Sequence, residues 1–574
     1  MENMAVNQVE EEEVQSVSAN SHSLHTTREQ PDKNNDSKDM NKQSSETAVG
    51  AEEKQSSIDE TPVVELSRFR RLVVFVSLAL IMLLASLDLT IVTTAIPKIS
   101  AQFDALSDAT WISTAYMLTT TSLQPLYGRL SDTFGRVPTL LVSIVVFFGG
   151  SAACGWAQSM GVLIFGRALQ GVGGAGLVAL VFIIISDVTT EEERPAFMGV
   201  LGAVWSIASV IGPVLGGVFS DKISWRWAFF LNLPISGVVL IITVLFLRMP
   251  HSRGSLKEKL KQIDVLGALV LIGTVVMLLL ALTWGGKSFA WGSTRIVCLL
   301  VFSFVGFGVF ILIEWKTSAV PTVPLGLLRS RNVSLAVAGQ FFAGVAMFVP
   351  MFYIPIWYTI VKNDSAISAG LHLLPYLVSV SLVSVASGFI VTKTGRYRAL
   401  VIVGSAIMVV GTGLLILMDE NISKGKQIGY LLLMGLGLGL NIQIMMIVVQ
   451  TAAPVEEMAA ATTLFLFMRI LGASIGIAAM ESIFQNYAIP HITDLAMANP
   501  QYAAVLGATF NDQSLIYRGG LPQELQRSLV HVYVEGLKRI FIANVPFAAV
   551  AFLMTLPLKH IPLRTGKTAL FGGE

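Results

Sequence analysis

The chain has 574 residues, 53% hydrophobic and only 13% charged, with a mean hydropathy of +0.68 and a formal net charge of +1. That balance excludes an ordinary soluble domain, and the near-zero net charge leaves no basic face for nucleic acid. The chain reads as an integral membrane protein with many spans. Its two cysteines, Cys154 and Cys298, fall inside apolar runs and read as packing residues, not as a disulfide framework.

Residues 1–66 differ from the rest. They carry the acidic run Glu10–Glu13, many Ser, Asn and Gln, and almost no aromatics, so they read as a disordered cytosolic tail. No apolar core follows Met1, so a cleavable signal peptide is not expected and the first span directs insertion. From Leu72 onward, fourteen apolar runs are each long enough to cross about 30 Å of hydrocarbon at about 1.5 Å per residue. They lie near 72–96, 109–127, 138–157, 161–186, 195–219, 227–248, 264–283, 296–315, 334–357, 371–391, 399–418, 428–449, 458–486 and 539–557. Arg and Lys concentrate in the alternate connections that hold Arg68, Arg129, Arg136, Arg194, Arg253, Arg331 and Arg396, which places both termini in the cytosol. The stretch 487–538 is then an outward loop with a short amphipathic helix near Leu521–Leu537. The predicted organisation is a tail (1–66), a six-helix bundle (67–250), two inserted helices (251–333), a second six-helix bundle (334–560) and a cytosolic C-terminal tail (561–574).

Gly128-Arg-Leu-Ser-Asp132-Thr-Phe-Gly135-Arg136 sits in the short gap between the second and third runs. Glycines at its ends permit a tight turn and close helix approach, while Asp132 and the arginines can pair at the membrane surface. The pattern resembles the G-x-x-x-D-x-x-G-R loop of the major facilitator superfamily of secondary transporters. It recurs between runs ten and eleven as Gly388-Phe-Ile-Val-Thr392-Lys-Thr-Gly395-Arg396, with Thr392 replacing the acid. Each copy holds the same place in its six-span half, an arrangement from which transporters build a central site that opens to either side.

Charges within spans mark function, because burying one costs about 2.5–3.5 kcal/mol on insertion scales. Asp88 in the first run and Arg167 in the fourth lie at similar depth, which suggests a pair in which Asp88 exchanges a proton; the alternative is a static structural salt bridge. Leu87–Pro97 resembles the first-span motif of the fourteen-helix drug:proton antiporters, and Leu163–Gly174 resembles the arginine motif of the fourth span. Gly199, Gly212, Pro213, Gly216 and Gly217 match the antiporter motif G-x8-G-x3-G-P-x2-G-G, with Ala208 where glycine is usual. Trp225–Pro234 resembles the family's entry to span six. Without the family, Pro213 bends its helix and the neighbouring glycines expose backbone to a partner.

Trp111, Tyr116, Gln170, Gln340, Asn441, Gln443 and the buried Arg469 are candidates to line an apolar cavity with a few polar groups. Arg469 needs a partner, and Glu481, twelve residues on, is too distant to be a direct one. Gly286-Lys-Ser and Gly566-Lys-Thr have Ala281 and Ile561 where a phosphate-binding loop needs glycine, which argues against an ATP-driven pump. Scattered histidines supply no metal cluster and no nucleophile with its base, so no enzyme, cofactor or metal is expected.

The expected protein is all-α, with fourteen transmembrane helices in a major facilitator fold: two six-helix bundles plus two inserted central helices. The resemblance implies a monomeric, proton-coupled efflux transporter for small lipophilic compounds such as drugs, toxins or secondary metabolites, in the plasma membrane or a vacuolar or vesicle membrane. It looks most like fungal members. Proton-coupled import, for example of a siderophore, is the runner-up, and a non-transporting receptor comes third.

Overall fold

The computed structural model describes residues 67–563 apart from 106–107, 250–254, 262, 287, 317–320 and 511–512. The tail expected over 1–66 and most of the C-terminal tail lie outside the described residues. Each predicted run becomes a helix: α1 (Arg68–Ile91), α2 (Trp111–Phe134), α3 (Arg136–Gly155), α4 (Met160–Val188), α5 (Arg194–Val218), α6 (Trp227–Phe246) and α7 (Val265–Trp284). There follow α8 (Thr294–Lys316), α9 (Arg331–Lys362), α10 (Leu374–Thr394), α11 (Arg398–Leu414), α12 (Lys424–Ala452), α13 (Met458–Ala498) and α14 (Gln523–Thr555).

Thirteen described helices are long and apolar enough to cross a membrane. The predicted helix outside that set is α2, which is 24 residues long but carries Thr119, Thr120, Thr121, Gln124, Arg129 and Asp132. Valine, phenylalanine and leucine side chains such as Val142, Phe148, Phe165, Phe302 and Leu312 are exposed, as a lipid solvent permits. Cys154 is buried, as its packing role requires, but Cys298 is exposed on α8, whose surface is largely uncovered.

Two boundaries differ from expectation. The first span stops at Ile91, residues 92–95 form turns, and a new helix, Ile96–Gln102, begins with Pro97 in its first turn. Proline supplies no N–H and its ring opposes the carbonyl four residues earlier, so continuous helix through 93–97 is disfavoured. The supposed outward loop 487–538 is mostly helix: α13 runs on to Ala498 and α14 already starts at Gln523, leaving only 499–522 as connection. The amphipathic segment near Leu521–Leu537 is therefore the first half of the last helix, and its apolar face is packed through Leu525, Leu529, Val532 and Leu537.

The packing repeats along the chain. In the first six helices α1 packs on α4, α5 and α6, α4 on α2 and α3, and α3 on α6. The same pairs recur eight helices later, with α9 on α12, α13 and α14, α12 on α10 and α11, and α11 on α14. The two sets meet along two symmetry-related seams, α2 with α13 and α10 with α5. Helices α7 and α8 pack on each other, and α7 lies beside the α2–α13 seam.

Small residues set the seams. A Cβ at Gly128 would stand 2.7 Å from the Thr463 hydroxyl and 3.0 Å from the Ala459 carbonyl oxygen, and one at Gly388 would collide with the Pro195 carbonyl. Both contacts lie toward the face that carries the 128–136 turn, hereafter the hinge face. There the two halves are in backbone contact.

Candidate functional site

At the hinge face Gly135 adopts φ 100° and its N–H donates to the Ser131 carbonyl, 3.1 Å away. This left-handed turn, which glycine alone adopts without strain, reverses the chain within one residue between α2 and α3. Arg136 pairs with Asp132 and donates from Nε to Asp187 of α4 at 2.8 Å, while Arg129 stands 4.0 Å from Asp132. Three helices are thus tied by one carboxylate–guanidinium lattice. The repeat keeps a positive-φ glycine, Gly395 at φ 66°, though with ψ −2° against 153° at Gly135, and it does not keep the lattice. Thr392 has a buried hydroxyl without a partner, and among the described residues the Arg396 guanidinium has neither an ion pair nor a hydrogen bond. Replacing the acid by threonine removed the charge that would hold it.

Deeper in the first half, Arg167 and Asp88 meet: Nη1 of Arg167 is 2.7 Å from Oδ2 of Asp88, and the two side chains are 1% and 0% exposed, respectively. The other oxygen, Oδ1, accepts from Gln170 Nε2 at 2.6 Å and from Asn232 Nδ2 at 2.8 Å. Arg167 also donates to Gln170 Oε1 at 2.7 Å and to the Ile112 carbonyl at 2.9 Å, and Ser151 Oγ accepts from Gln170 at 2.8 Å. The network therefore draws side chains or backbone groups from each of α1, α2, α3, α4 and α6. Desolvated charges persist only when satisfied in this way. Asn232 and Ser151 were not singled out as site residues in the sequence, where a lone Asn or Ser in a span reads as ordinary interhelical packing. Gln170, expected in the cavity wall, belongs instead to this closed network.

The guanidinium of Arg167 lies 4.3 Å from the centre of the Tyr116 ring. Tyr116 in turn lines a cavity of about 100 Å³ between the two halves, so one aromatic ring separates the ion pair from the cavity. Of the other predicted wall residues, Gln443 and Arg469 line it, together with Met82, Phe182, Trp205 and Phe348. Trp111 does not; it packs edge-on against Trp284 of α7 with ring centres 5.9 Å apart. Asn441 is turned to Ser405 of α11, and Gln340 is buried at 2% exposure away from the cavity. Helix periodicity alone could not tell the cavity side of these helices from their packed sides. Glu481 is not the partner of Arg469: it accepts from Tyr353 at 3.0 Å and from Gln485 at 2.9 Å.

The glycine-proline bend of α5 faces α1. A Cβ at Gly212 would collide with the Thr90 hydroxyl and one at Gly216 with the Ile91 carbonyl, while Thr90 Oγ1 donates to the Ala208 carbonyl at 3.3 Å. These contacts fall on the last turn of α1, immediately after Asp88. Gly217 faces Ile367 of the second half, and Gly199 lies against the Ser384 carbonyl of α10, where an added Cβ would be 2.5 Å away. One helix thus touches both the acid-bearing helix and the opposite half. Among the described residues no group of His, Cys, Asp and Glu is placed to hold a metal ion.

Comparison with known proteins agrees with this geometry. The Major Facilitator Superfamily profile matches residues 78–477. The chain is 36% identical over 447 residues to "Efflux pump aflT" of Aspergillus parasiticus, covering 77% of this chain and 87% of that protein. It is 31% identical over 531 residues to "Efflux pump FUS6" of Gibberella moniliformis, covering 91% and 93%. Among solved structures, the human organic anion transporter MFSD10 (TETRAN) aligns with a TM-score of 0.56 at 15% identity, over 85% of this chain and 100% of that one, a likeness of fold.

Proposed function

The chain belongs to the Major Facilitator Superfamily and is a multi-pass membrane transporter, and we propose that it exports lipophilic small molecules in exchange for protons by alternating access. The observation that carries this reading is the fully buried Asp88–Arg167 pair at a junction of five helices, one ring away from a mostly apolar cavity. A carboxylate enclosed in this way gains or loses a proton only if its helix moves relative to α4, because Arg167 occupies one of its oxygens and two amides the other. In the proposed cycle, α1 shifts, Arg167 withdraws, and Asp88 takes a proton from the outer side and releases it inside. The bend of α5 transmits the shift, since Gly212 and Gly216 press on the turn that follows Asp88 and Gly199 presses on α10.

The hinge face is the cytosolic one in this reading, in keeping with the arginines clustered there. Both termini are then cytosolic, and the plasma membrane is the proposed location. On the same reading the two halves, held together by Gly128 and Gly388, are shut toward the cytosol. Each proton entering the cell supplies about 2.3 kcal/mol per 100 mV of membrane potential, before any pH gradient is added. The test is twofold. Pump-deficient yeast expressing the chain are challenged with a panel of drugs and fungal metabolites, and compounds that score are followed into inverted vesicles under an imposed pH gradient. Protection with gradient-driven uptake supports the reading; uptake indifferent to the gradient overturns proton coupling.

A further inference from the structure

The cavity between the halves has one charged side chain in its lining, and that charge is positive. Arg469 stands in the wall contributed by α13, and no Asp or Glu lines the same cavity. Among the described residues its guanidinium makes no hydrogen bond and no ion pair, in contrast to Arg167, whose charge is fully matched. A guanidinium held in apolar surroundings without a counter-ion is unfavourable, and a stable protein normally removes it or pairs it.

The backbone that carries Arg469 is fixed. Its carbonyl lies against Gly344 of α9 so closely that a Cβ there would collide with it, and Gly472, one turn on, is pressed against the Phe341 carbonyl in the same way. Two glycines thus clamp α13 to α9 on one side and leave the arginine on the cavity side. The Thr121 hydroxyl, in the lining of the same cavity, is buried with no hydrogen-bond partner, and it can donate. Most of the remaining wall is apolar, with Met347, Phe348, Ile442 and Ile470 among its residues, and Gln443, Tyr116, Thr120 and Ser86 are its neutral polar members.

We propose that the cavity binds lipophilic organic anions, with Arg469 as the counter-ion for a carboxylate, sulfonate or similar oxyanion and Thr121 as a supporting donor. This rests on the transporter reading above and names the substrate class for its cavity. A guanidinium presents parallel N–H groups that match an oxyanion in a two-pronged contact, stronger than a neutral hydrogen bond. A cation would meet no carboxylate in the wall, since Asp88 is enclosed behind Tyr116 and already bound to Arg167. A neutral compound would leave Arg469 unpaired.

The experiment uses 8-anilinonaphthalene-1-sulfonate and its uncharged parent, N-phenyl-1-naphthylamine, which share an apolar body and differ by the sulfonate. Binding to the purified full chain in detergent is read from energy transfer out of Trp205, with Trp205→Phe as the background. The unaltered chain is expected to bind the sulfonate about tenfold or more tighter than the amine, the scale of one charge-assisted contact. Arg469→Gln is expected to reduce that preference to about twofold by weakening the sulfonate alone, and Arg469→Lys to retain most of it. Equal affinities in the unaltered chain, binding of neither dye, or an undiminished preference in Arg469→Gln would each overturn the proposal. Equal affinities in the unaltered chain overturn the proposal without any variant, and should Arg469→Gln misfold, Arg469→Met is measured in its place, where an undiminished preference overturns the proposal equally. No gradient is present in this assay, so a failure of proton coupling would leave the result intact, and export restricted to neutral compounds would sink only the anion proposal.

Discussion

Asp88 is held by Arg167, Gln170 and Asn232 together, and all three partners are buried with it. Removing one member of a buried pair leaves the other uncompensated and typically costs about 3–5 kcal/mol, whereas neutralising both is far milder. Arg167→Ala is therefore expected to lower the thermal unfolding temperature markedly, and the double variant Asp88→Asn with Arg167→Gln to recover most of that loss. Coupling should follow a different pattern. Gradient-driven uptake into inverted vesicles is expected to vanish in Asp88→Asn and to stay absent in the stable double variant; uptake restored along with stability would make the pair a structural bridge only. Asp132 stands in a different setting, near the surface among Arg129, Arg136 and Asp187. Asp132→Ala is expected to slow transport several-fold with little change in substrate affinity, because the lattice orders helix ends and does not touch the cavity. Lost binding with a normal rate of switching would move Asp132 into the substrate site.

Among the elements, α5 is the one whose glycines touch both the acid-bearing helix and the opposite half. Its small residues meet α1 through Gly212 and Gly216, and Gly199 meets α10. A leucine at Gly216 has no space against the Ile91 carbonyl, and overpacking of this kind costs about 1–3 kcal/mol. Gly216→Leu is expected either to stop transport or to let protons pass without substrate, with both fluxes measured together in proteoliposomes. Ala208→Gly is expected to be nearly silent, since the Ala208 contribution to α1 is its backbone carbonyl, which glycine also has. Full, tightly coupled transport by Gly216→Leu would reduce the bend to plain packing.

At the scale of the molecule, two sets of six helices with the same internal contacts meet along two seams, and alternating access requires those seams to part. Ser381 of α10 donates to the Ala203 carbonyl of α5 at 3.1 Å, across one seam. Cysteines introduced at Ala203 and Ser381, in a background with Cys298→Ser, are expected to cross-link with a short thiol reagent and to arrest transport until reduced. Continued transport in the cross-linked protein would show that this seam does not open.

Membrane class, the places of the long helices, the duplicated turn and the Asp88–Arg167 pairing were all legible in the sequence. Each depends on a local signal: apolar length, a glycine that must reverse the chain, or charges too costly to bury alone. The end of α1 at Ile91 was less so, because Pro97 acts on residues before it, and the extension of α13 and α14 into 487–538 depends on packing of faces that are only moderately apolar. Which polar side chains share a site was decided only by tertiary structure. Gln170 and Gln443 look alike in their helices, yet one completes an ion-pair network and the other faces a cavity, and Asn232 joins Asp88 across 144 residues of sequence. The rotation of each helix about its own axis fixes these neighbours, and that rotation is set by glycine contacts between helices distant in the chain.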